Sequence, residues 1–426
     1  MRSTVIKIVV ILAIVACAIG IFFVVKNMKE ENDNILANLE HTTENLEMNT
    51  ENNENVESNT EQNNEINEVI ENVEQNNISE ETVANNELFS EYYDKAENLM
   101  ANMTLSEKVG QMFLARYPSS GVVSEIKNEN PGGYVLFGRD FDNKTKQDMI
   151  NELQADQNAS KIGLILGVDE EGGTVVRVSS HKAFRNSKFK SPQNIYKTSG
   201  FQGILDDSKE KSNLLKSIGL NMNLAPVVDV PTKSSSFIYA RSYGRGAEKT
   251  AIYSKRIIET MNQDNMISVM KHFPGYGDNE DTHTGIAIDE RSYSNFENSD
   301  FLPFKSGIEA GGPCILVSHN IVKCMDEEKP ASLSENVHNI LRNELNFSGI
   351  IMTDDLAMDA VKSYVENGEA AVQAVKAGND MIISSNFKEQ KEEVFNAVNN
   401  GEISVDTINT AVRRILALKY AYGIIQ

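Results

Sequence analysis

The chain has 426 residues, with 40 Lys and Arg against 62 Asp and Glu, and a formal net charge of −22. This balance argues against a nucleic-acid partner, because Lys and Arg must neutralise the phosphates of such a ligand. The length suits one large domain with added segments, or two domains.

Residues 1–26 are predicted to form a transmembrane anchor. The run 8–25 is uninterrupted apolar or small sequence, and about 20 such residues span the hydrocarbon core of a bilayer. Arg2 and Lys7 precede the run, which favours a cytoplasmic amino terminus and a single-pass cell-membrane protein whose remaining chain lies outside the cytoplasm. A cleaved signal peptide and lipidation at Cys17 are the alternatives, and both also export the chain.

Residues 27–88 form an Asn- and Glu-rich segment without Gly, Pro or aromatic residues, and it holds most of the acidic excess. Glu recurs at helical spacings, so a helix would place like charges on one face, where they repel. Leu39, Leu46 and Val56 have a heptad-like spacing, which is the alternative of a coiled coil. We expect a disordered linker instead, because too little apolar surface exists to offset the conformational entropy of the chain.

Residues 89–426 have an ordinary globular composition, and short apolar runs alternate there with amphipathic segments such as "TKQDMINELQADQ" and "TAIYSKRIIETMNQD". Continuous apolar runs rich in β-branched residues are typical of parallel strands buried on both faces. Their alternation with helices predicts an α/β fold, a (β/α)8 barrel of the TIM type. The runs are "GQMFLAR", "GGYVLFG", "GLILGVD", "MNLAPVVDV", "ISVMKHF", "CILVSHN", "GIIMTDD" and "NDMIISS".

Polar side chains with catalytic chemistry occur at the ends of five of these runs. In a barrel, the active site is built from the carboxyl ends of the strands and the loops that follow them. A repeated choice of Asp, His and Lys at these places therefore predicts an enzyme site at that end of the barrel. The residues are Asp169, Asp229, Lys271, His272, His319, Asp354 and Asp355.

The stretch "KHFPGYGDNEDTH" resembles the signature KHFPGHGD-x-x-x-D-S-H of glycoside hydrolase family 3, in its β-N-acetylglucosaminidase branch. "GVDEEGGTVVRV", "IYARSYG" and "GIIMTDDLAMDAV" are similar to three further motifs of that branch, and all four occur in family order. The resemblance covers residues 92–426. The chain departs from the motifs at Tyr276, where the signature has His, and at Glu170, where it has Gln. Members of this branch carry their acid/base inside the barrel, so the resemblance requires no second domain.

The resemblance assigns the nucleophile to Asp354 and the acid/base to His283, paired with Asp281. Retaining hydrolysis needs a nucleophile on one face of the anomeric carbon and a proton donor near the leaving oxygen. Asp355, the neighbour of Asp354, is expected on the other side of the strand. In an extended loop, Asp281 and His283 share one side, so Asp281 can accept from one ring nitrogen while the other faces the glycosidic oxygen.

Two other interpretations of this loop stay open. Asp278, Asp281 and His283 are a possible metal site, because carboxylate and imidazole ligands suit several ions. The loop is alternatively structural, with a hydrogen-bonded His. The resemblance implies no metal and no organic cofactor, and we expect none.

The resemblance also implies substrate-binding roles for Asp169, Arg177, Arg241, Lys271 and His272. Asp169 should accept hydrogen bonds from sugar hydroxyls, and Lys271 should donate to them. Arg177 and Arg241 are expected to donate to hydroxyls or to the acetamido carbonyl, or to brace Asp169.

These expectations describe an exported, membrane-tethered and monomeric retaining exo-β-N-acetylglucosaminidase. It would remove terminal β-linked N-acetylglucosamine from peptidoglycan fragments or chitin-like oligosaccharides through a covalent glycosyl-Asp intermediate. Its partners would be a carbohydrate substrate and the membrane. One alternative is a phosphorylase with the same site, in which phosphate replaces water. The other is a non-catalytic wall-sugar-binding module, against which the pair of Asp354 and His283 argues.

Overall fold

The computed structural model describes residues 87–279, 281–282, 285–365 and 369–426. The predicted anchor at 1–26 and almost all of the predicted linker lie outside these residues, and so does His283. Within the described residues, no helix combines the length and the apolar character needed to cross a membrane.

Parallel strands form the centre of the described fold. Eight of them pair in the order β10-β1-β2-β3-β4-β5-β7-β9, while β6 and β8 form a separate parallel pair. Between β9 and β10, the Thr353 N–H donates to the Met381 carbonyl at 3.2 Å, so the sheet is nearly closed into a barrel. The strands are β1 (Phe113–Arg116), β2 (Gly133–Leu136), β3 (Ile165–Val168), β4 (Met222–Asn223), β5 (Ile267–Phe273), β6 (Ile288–Asp289), β7 (Cys314–Val317), β8 (Ile321–Val322), β9 (Ile350–Thr353) and β10 (Ile382–Ser384).

Each of the eight predicted apolar runs contains one strand of the barrel, which confirms the predicted parallel α/β architecture. The run "ISVMKHF" coincides with β5 over its whole length. The run "MNLAPVVDV" contributes only the short strand β4, since Pro226 has no N–H to give to a ladder. Its later residues still follow β5, because the Val228 N–H donates to the Lys271 carbonyl at 2.8 Å.

Helices lie between the strands, and the two predicted amphipathic segments form α4 and α6. At the start of α4, the Thr145 hydroxyl accepts from the Asp148 N–H at 3.2 Å, which supplies the first helical turn with a capping bond. The helices are α1 (Tyr93–Met100), α2 (Leu105–Gln111), α3 (Val122–Glu129), α4 (Lys146–Ala159), α5 (Pro192–Lys216), α6 (Ala247–Gln263), α7 (Tyr293–Asn295), α8 (Phe301–Glu309), α9 (Glu335–Asn339), α10 (Asp359–Tyr364), α11 (Ala370–Ala377), α12 (Phe387–Asn399) and α13 (Val405–Ala421).

The hydrophobic core surrounds the barrel strands on both sides. Strands β2, β3, β7 and β9 are buried at every position, as continuous apolar runs predict for strands covered on both faces. Gly133 in β2 permits a close approach to β3, because a Cβ atom there would lie 2.0 Å from the Ile165 carbonyl oxygen. Position 133 therefore requires a residue without a Cβ atom.

Lys419 on α13 is fully buried at the amino-terminal end of the barrel. Its Nζ donates to the Gln111 Oε1 atom at 2.7 Å and to the Gly163 carbonyl at 2.8 Å. Both partners are neutral, so burial lowers the pKa of Lys419 from its ordinary value to about 7. Lys419 therefore fills the amino-terminal end of the barrel, and protonation of its buried amine lowers the stability of the fold at low pH.

Replacing Lys419 with Met should flatten the pH dependence of stability above neutrality. The unfolded chain holds the Lys419 proton up to about pH 10, whereas the folded chain releases it near pH 7, so folding stability rises with pH across this window. In urea unfolding, the free energy of unfolding of the wild type should gain roughly 3–5 kcal/mol more than that of the variant between pH 7 and 10. Exposed Lys376→Met is the control. If the free energies of unfolding of Lys419→Met and of the wild type changed with pH in parallel, this account would be contradicted.

Candidate active site

A cavity of about 290 Å³ opens at the carboxyl ends of the barrel strands. It brings together six of the predicted site residues, which come from the ends of β3, β5 and β9 and from the loops after β3 and β4. Asp281 lies in the loop after β5 and does not line this cavity, and the structure does not describe His283. The six residues are Asp169, Arg177, Arg241, Lys271, His272 and Asp354.

A buried network of ion pairs forms one wall of the cavity. The Lys271 Nζ atom lies 2.6 Å from Asp169 Oδ1 and 2.7 Å from Glu171 Oε1. Arg241 binds Glu171 through Nη2 at 2.7 Å and through Nε at 2.9 Å. Glu171 therefore holds both cations at once, and the side chain of Asp169 remains 18% exposed toward the cavity.

The charges in this network determine its protonation. Burial alone would raise the pKa of Glu171, but Lys271 and Arg241 outweigh it and hold this pKa well below its usual value. Burial alone would lower the pKa of Lys271, but Asp169 and Glu171 raise it. Lys271 is therefore a cation that can donate to a ligand. Sequence reasoning missed Glu171, although it follows Asp169 by two positions and so shares its side of an extended segment.

His272 is fixed by a second pair of partners. Its Nδ1 lies 2.7 Å from Asp229 Oδ2, and its Nε2 lies 3.1 Å from Arg241 Nη2. A guanidinium group only donates, so Nε2 accepts and the Nδ1–H donates to Asp229. Asp229 also accepts from the Tyr276 N–H at 2.8 Å. Asp229 was noted at a strand end in the sequence but was given no individual role.

Asp354 and Asp355 follow β9 and both line the cavity, although the sequence predicts opposite sides of the strand. Their environments differ. Asp355 Oδ1 accepts from the N–H groups of Ala357 at 2.9 Å and Ser385 at 3.1 Å, and Oδ2 accepts from the Ser385 hydroxyl. Asp354 Oδ1 accepts from the Asp355 N–H at 2.8 Å. The Asp355 side chain therefore holds the loop after β10 in place.

Tyr276, the departure from the family signature, is buried in the loop after β5. Its hydroxyl lies 2.6 Å from the Thr282 hydroxyl, and its ring packs edge-on against His272 at 5.1 Å. Thr282 is fully buried and is covalently bonded to Asp281 on one side and His283 on the other. Tyr276 therefore ties Thr282 to the wall of the cavity.

Asp278 and Gly275 give this loop its shape. Asp278 accepts from the N–H groups of Thr232 at 3.0 Å and Lys233 at 2.9 Å and from two hydroxyls. Burial alone would raise the pKa of Asp278, but these hydrogen bonds hold it at about 2. Gly275 has φ +117°, and a Cβ atom there would lie 2.3 Å from Asp300 Oδ1. Asp278 is thus a brace between two loops, which disfavours it as a metal ligand.

Glu170, the other departure from the motifs, is fully buried behind the cavity wall. Its Oε2 accepts from the N–H groups of Arg177 at 2.9 Å and Val178 at 2.7 Å, and its Oε1 accepts from the Ser179 hydroxyl. A Gln oxygen can accept the same backbone bonds while its amide donates to the hydroxyl. Glu170, in place of the Gln of the motif, therefore keeps the same bonds to the segment that carries Arg177.

Two further cavity residues, Arg116 and Phe137, were not found from the sequence. Arg116 ends β1, and its guanidinium carbon lies 4.5 Å from the centre of the Phe137 ring. Phe137 follows β2 and lines the cavity beside it. In the order of the strands around the barrel, β1 lies opposite β5. The pair therefore forms the wall of the cavity opposite the Lys271 network.

A parallel α/β barrel whose cavity at the strand carboxyl ends holds fixed carboxylates and cations has the arrangement of an enzyme site for a polar substrate. The sequence profile "Glycosyl hydrolase family 3 N terminal domain" matches residues 104–418. The chain therefore belongs to glycosyl hydrolase family 3, as the four motifs predicted, and is a glycoside hydrolase of its β-hexosaminidase group.

The relatives of this chain have names that fit this assignment. A Beta-hexosaminidase of Nitrosomonas eutropha is 31% identical over 291 residues, which cover 65% of this chain and 80% of that protein. Beta-hexosaminidase A of Pseudoalteromonas piscicida is 26% identical, and the match covers 69% of this chain and 54% of that protein. A solved family 3 beta-N-acetylglucosaminidase from Paenibacillus sp. has a TM-score of 0.71 at 28% identity and covers 76% of this chain and 63% of its own.

Proposed function

We propose that the chain is a retaining exo-β-N-acetylglucosaminidase that acts on peptidoglycan fragments or chitin-like oligosaccharides. The observation that carries this proposal is the shared cavity of Asp354, Asp169, Lys271 and Arg241. It offers the Asp354 carboxylate beside a set of fixed donors and acceptors suited to sugar hydroxyls. The beta-N-acetylglucosaminidase named among the solved structures supports the choice of sugar.

In this mechanism, Asp354 attacks the anomeric carbon and forms a glycosyl ester, while the bond to the leaving oxygen breaks. His283, paired with Asp281, gives its proton to that oxygen. The same imidazole then takes a proton from water, which attacks the ester and releases the sugar and the free Asp354 carboxylate. Lys271 and Asp169 hold the ring hydroxyls through both steps.

The proposal includes export and tethering by residues 1–26. The described residues begin at the end of the barrel opposite to the cavity, because the Leu88 N–H donates at 2.8 Å to the hydroxyl of Ser348, which lies two residues before β9.

The decisive experiment compares substrates with the purified full-length chain. We expect faster release of para-nitrophenol from the N-acetyl-β-glucosaminide than from the β-glucoside, with no dependence on phosphate and with the β-anomer as the first product in NMR. Preference for the glucoside would overturn the choice of sugar. Formation of a sugar phosphate would favour the phosphorylase, and sugar binding without turnover would favour the non-catalytic module.

A further inference from the structure

Arg291 joins the two ends of the loop between β5 and β6. This loop comprises residues 274–287 and contains Asp281. The Arg291 Nη2 atom donates to the Gly275 carbonyl, near the start of the loop, at 2.9 Å. The same atom donates at 2.8 Å to Oδ2 of Asp289, which lies in β6 just after the loop. One guanidinium group therefore connects the entry and the exit of the loop.

Two buried carboxylates hold this guanidinium group in place. Its Nη1 atom donates to Asp300 Oδ2 at 2.9 Å, and its Nε atom donates to Asp289 Oδ2 at 3.0 Å. The side chains of Asp289 and Asp300 are only 3% and 1% exposed. The guanidinium carbon also lies 4.2 Å from the centre of the Phe296 ring. Charge-assisted hydrogen bonds to a planar fork and a cation–π contact together restrict the group to one position.

The first residues of the loop pack directly against this group. A Cβ atom at Gly275 would lie 2.3 Å from Asp300 Oδ1, and a Cβ atom at Gly277 would lie 2.4 Å from Arg291 Nη1. The two glycines therefore allow the backbone of the loop to contact the ion pair closely. A displacement of the guanidinium group would move the loop through these contacts as well as through the hydrogen bond to Gly275.

The loop carries the groups that transfer the proton in the proposed mechanism. Tyr276 follows Gly275 directly, and its hydroxyl lies 2.6 Å from that of Thr282, the neighbour of Asp281. The support of the loop by Arg291 therefore extends to the residue beside Asp281. A general acid must lie within hydrogen-bond reach of the leaving oxygen, and a misplacement of about 1 Å can cost about 100-fold in rate.

We propose that Arg291 is a positioning residue for proton transfer, which holds the ends of the loop together and so sets the place of the pair of Asp281 and His283. The inference rests on the proposed function and deepens it, because it names the support of the acid/base. Arg291 does not line the cavity that holds Asp354. Its effect should therefore fall on proton transfer and not on the attack by the nucleophile.

The test compares two aryl N-acetyl-β-glucosaminides whose leaving groups differ in basicity. Dinitrophenolate leaves without a proton, whereas phenolate needs one, and kcat/KM reports the steps up to the glycosyl ester. In the full-length chain, Arg291→Met should lower kcat/KM about 100-fold on the phenyl substrate and change it little on the dinitrophenyl substrate. Arg291→Lys keeps the charge but lacks the planar fork, so its selective loss should be intermediate.

Gly277→Ala is a second variant that decides the question if Arg291→Met does not fold. The added Cβ atom would displace the guanidinium group while every charge around it is kept. This variant should show the same selective loss on the phenyl substrate. His283→Gly is the reference for a missing acid/base, and its loss should be selective in the same way.

Arg342→Met is the matched control, because Arg342 also binds one carboxylate, that of Asp380, and two backbone carbonyls, those of Phe347 and Gly349. These contacts lie at the opposite end of the barrel, before β9 and β10. The control should have a lower melting temperature, with the same change of kcat/KM on both substrates.

An equal loss on both substrates in the Arg291 variants and in Gly277→Ala overturns the positioning role and leaves the hydrolase intact. If the wild type hydrolyses neither substrate, or if His283→Gly shows no selective loss, the proposed function itself fails. The positioning role then fails with it.

Discussion

Replacing Asp354 with Asn should lower kcat on para-nitrophenyl N-acetyl-β-glucosaminide by a factor on the order of 10⁴ or more, as the loss of a nucleophile does in other enzymes. The amide keeps the shape of the side chain but cannot form the glycosyl ester. KM should change little, because Asp169 and Lys271 still hold the sugar. Steady-state kinetics on the two purified proteins measure both quantities.

Asp355→Asn is the internal control for this result. Asp355 lines the same cavity, but its oxygens accept from Ala357 and Ser385, so its replacement should mainly loosen the loop after β10. We expect a much smaller loss of kcat together with a lower melting temperature. Equal losses of kcat in the Asn variants at 354 and 355 would remove the argument for Asp354 as nucleophile.

Chemical rescue separates a nucleophile from a residue that only orients the substrate. In Asp354→Gly, added azide can enter the space left by the carboxylate and attack the anomeric carbon as para-nitrophenolate leaves. The product should be the α-glycosyl azide, because a single displacement inverts the configuration. Absence of rescue together with an intact fold by circular dichroism, or formation of the β-azide, would contradict direct attack by Asp354.

The barrel could be predicted because its signals are local. A buried parallel strand needs only a short continuous apolar run, and the runs that contain β1 to β5, β7, β9 and β10 each show one. The carboxyl ends of parallel strands lie at one end of a barrel because of its topology. Asp169, Lys271 and Asp354 could therefore be grouped from the sequence alone. These three residues do line one cavity.

The partners within the site could not be predicted in the same way, because they depend on contacts between distant residues. Glu171 acquires its role from Lys271 and Arg241, which lie far along the chain and on other elements. Asp355 was expected to face away from the cavity by strand alternation, but β9 ends at Thr353 and alternation no longer applies beyond it. Arg116 gave no signal, because its contact with Phe137 joins the ends of two different strands.

Replacing Glu171 with Gln should lower the free energy of unfolding by about 3–5 kcal/mol, the usual effect of removing one partner of a buried ion pair. The amide has nearly the same shape, so packing is preserved. Lys271 and Arg241 are then left buried with only part of their counter-charge. Urea unfolding at neutral pH measures the loss, and KM should rise because Lys271 binds the substrate in the proposed mechanism.

An exposed ion pair provides the control for Glu171→Gln. Lys376 and Glu402 lie 3.0 Å apart with about half of each side chain exposed, so Glu402→Gln should cost about 0–1 kcal/mol. The Glu171 pKa is lower in the folded chain than in the unfolded chain, so its contribution to stability is complete above about pH 5 and is lost as pH falls further. The wild-type advantage over Glu171→Gln should therefore shrink in acid. If the wild type remained more stable than Glu171→Gln by the same amount at low pH, the variant would lose stability through packing and not through charge.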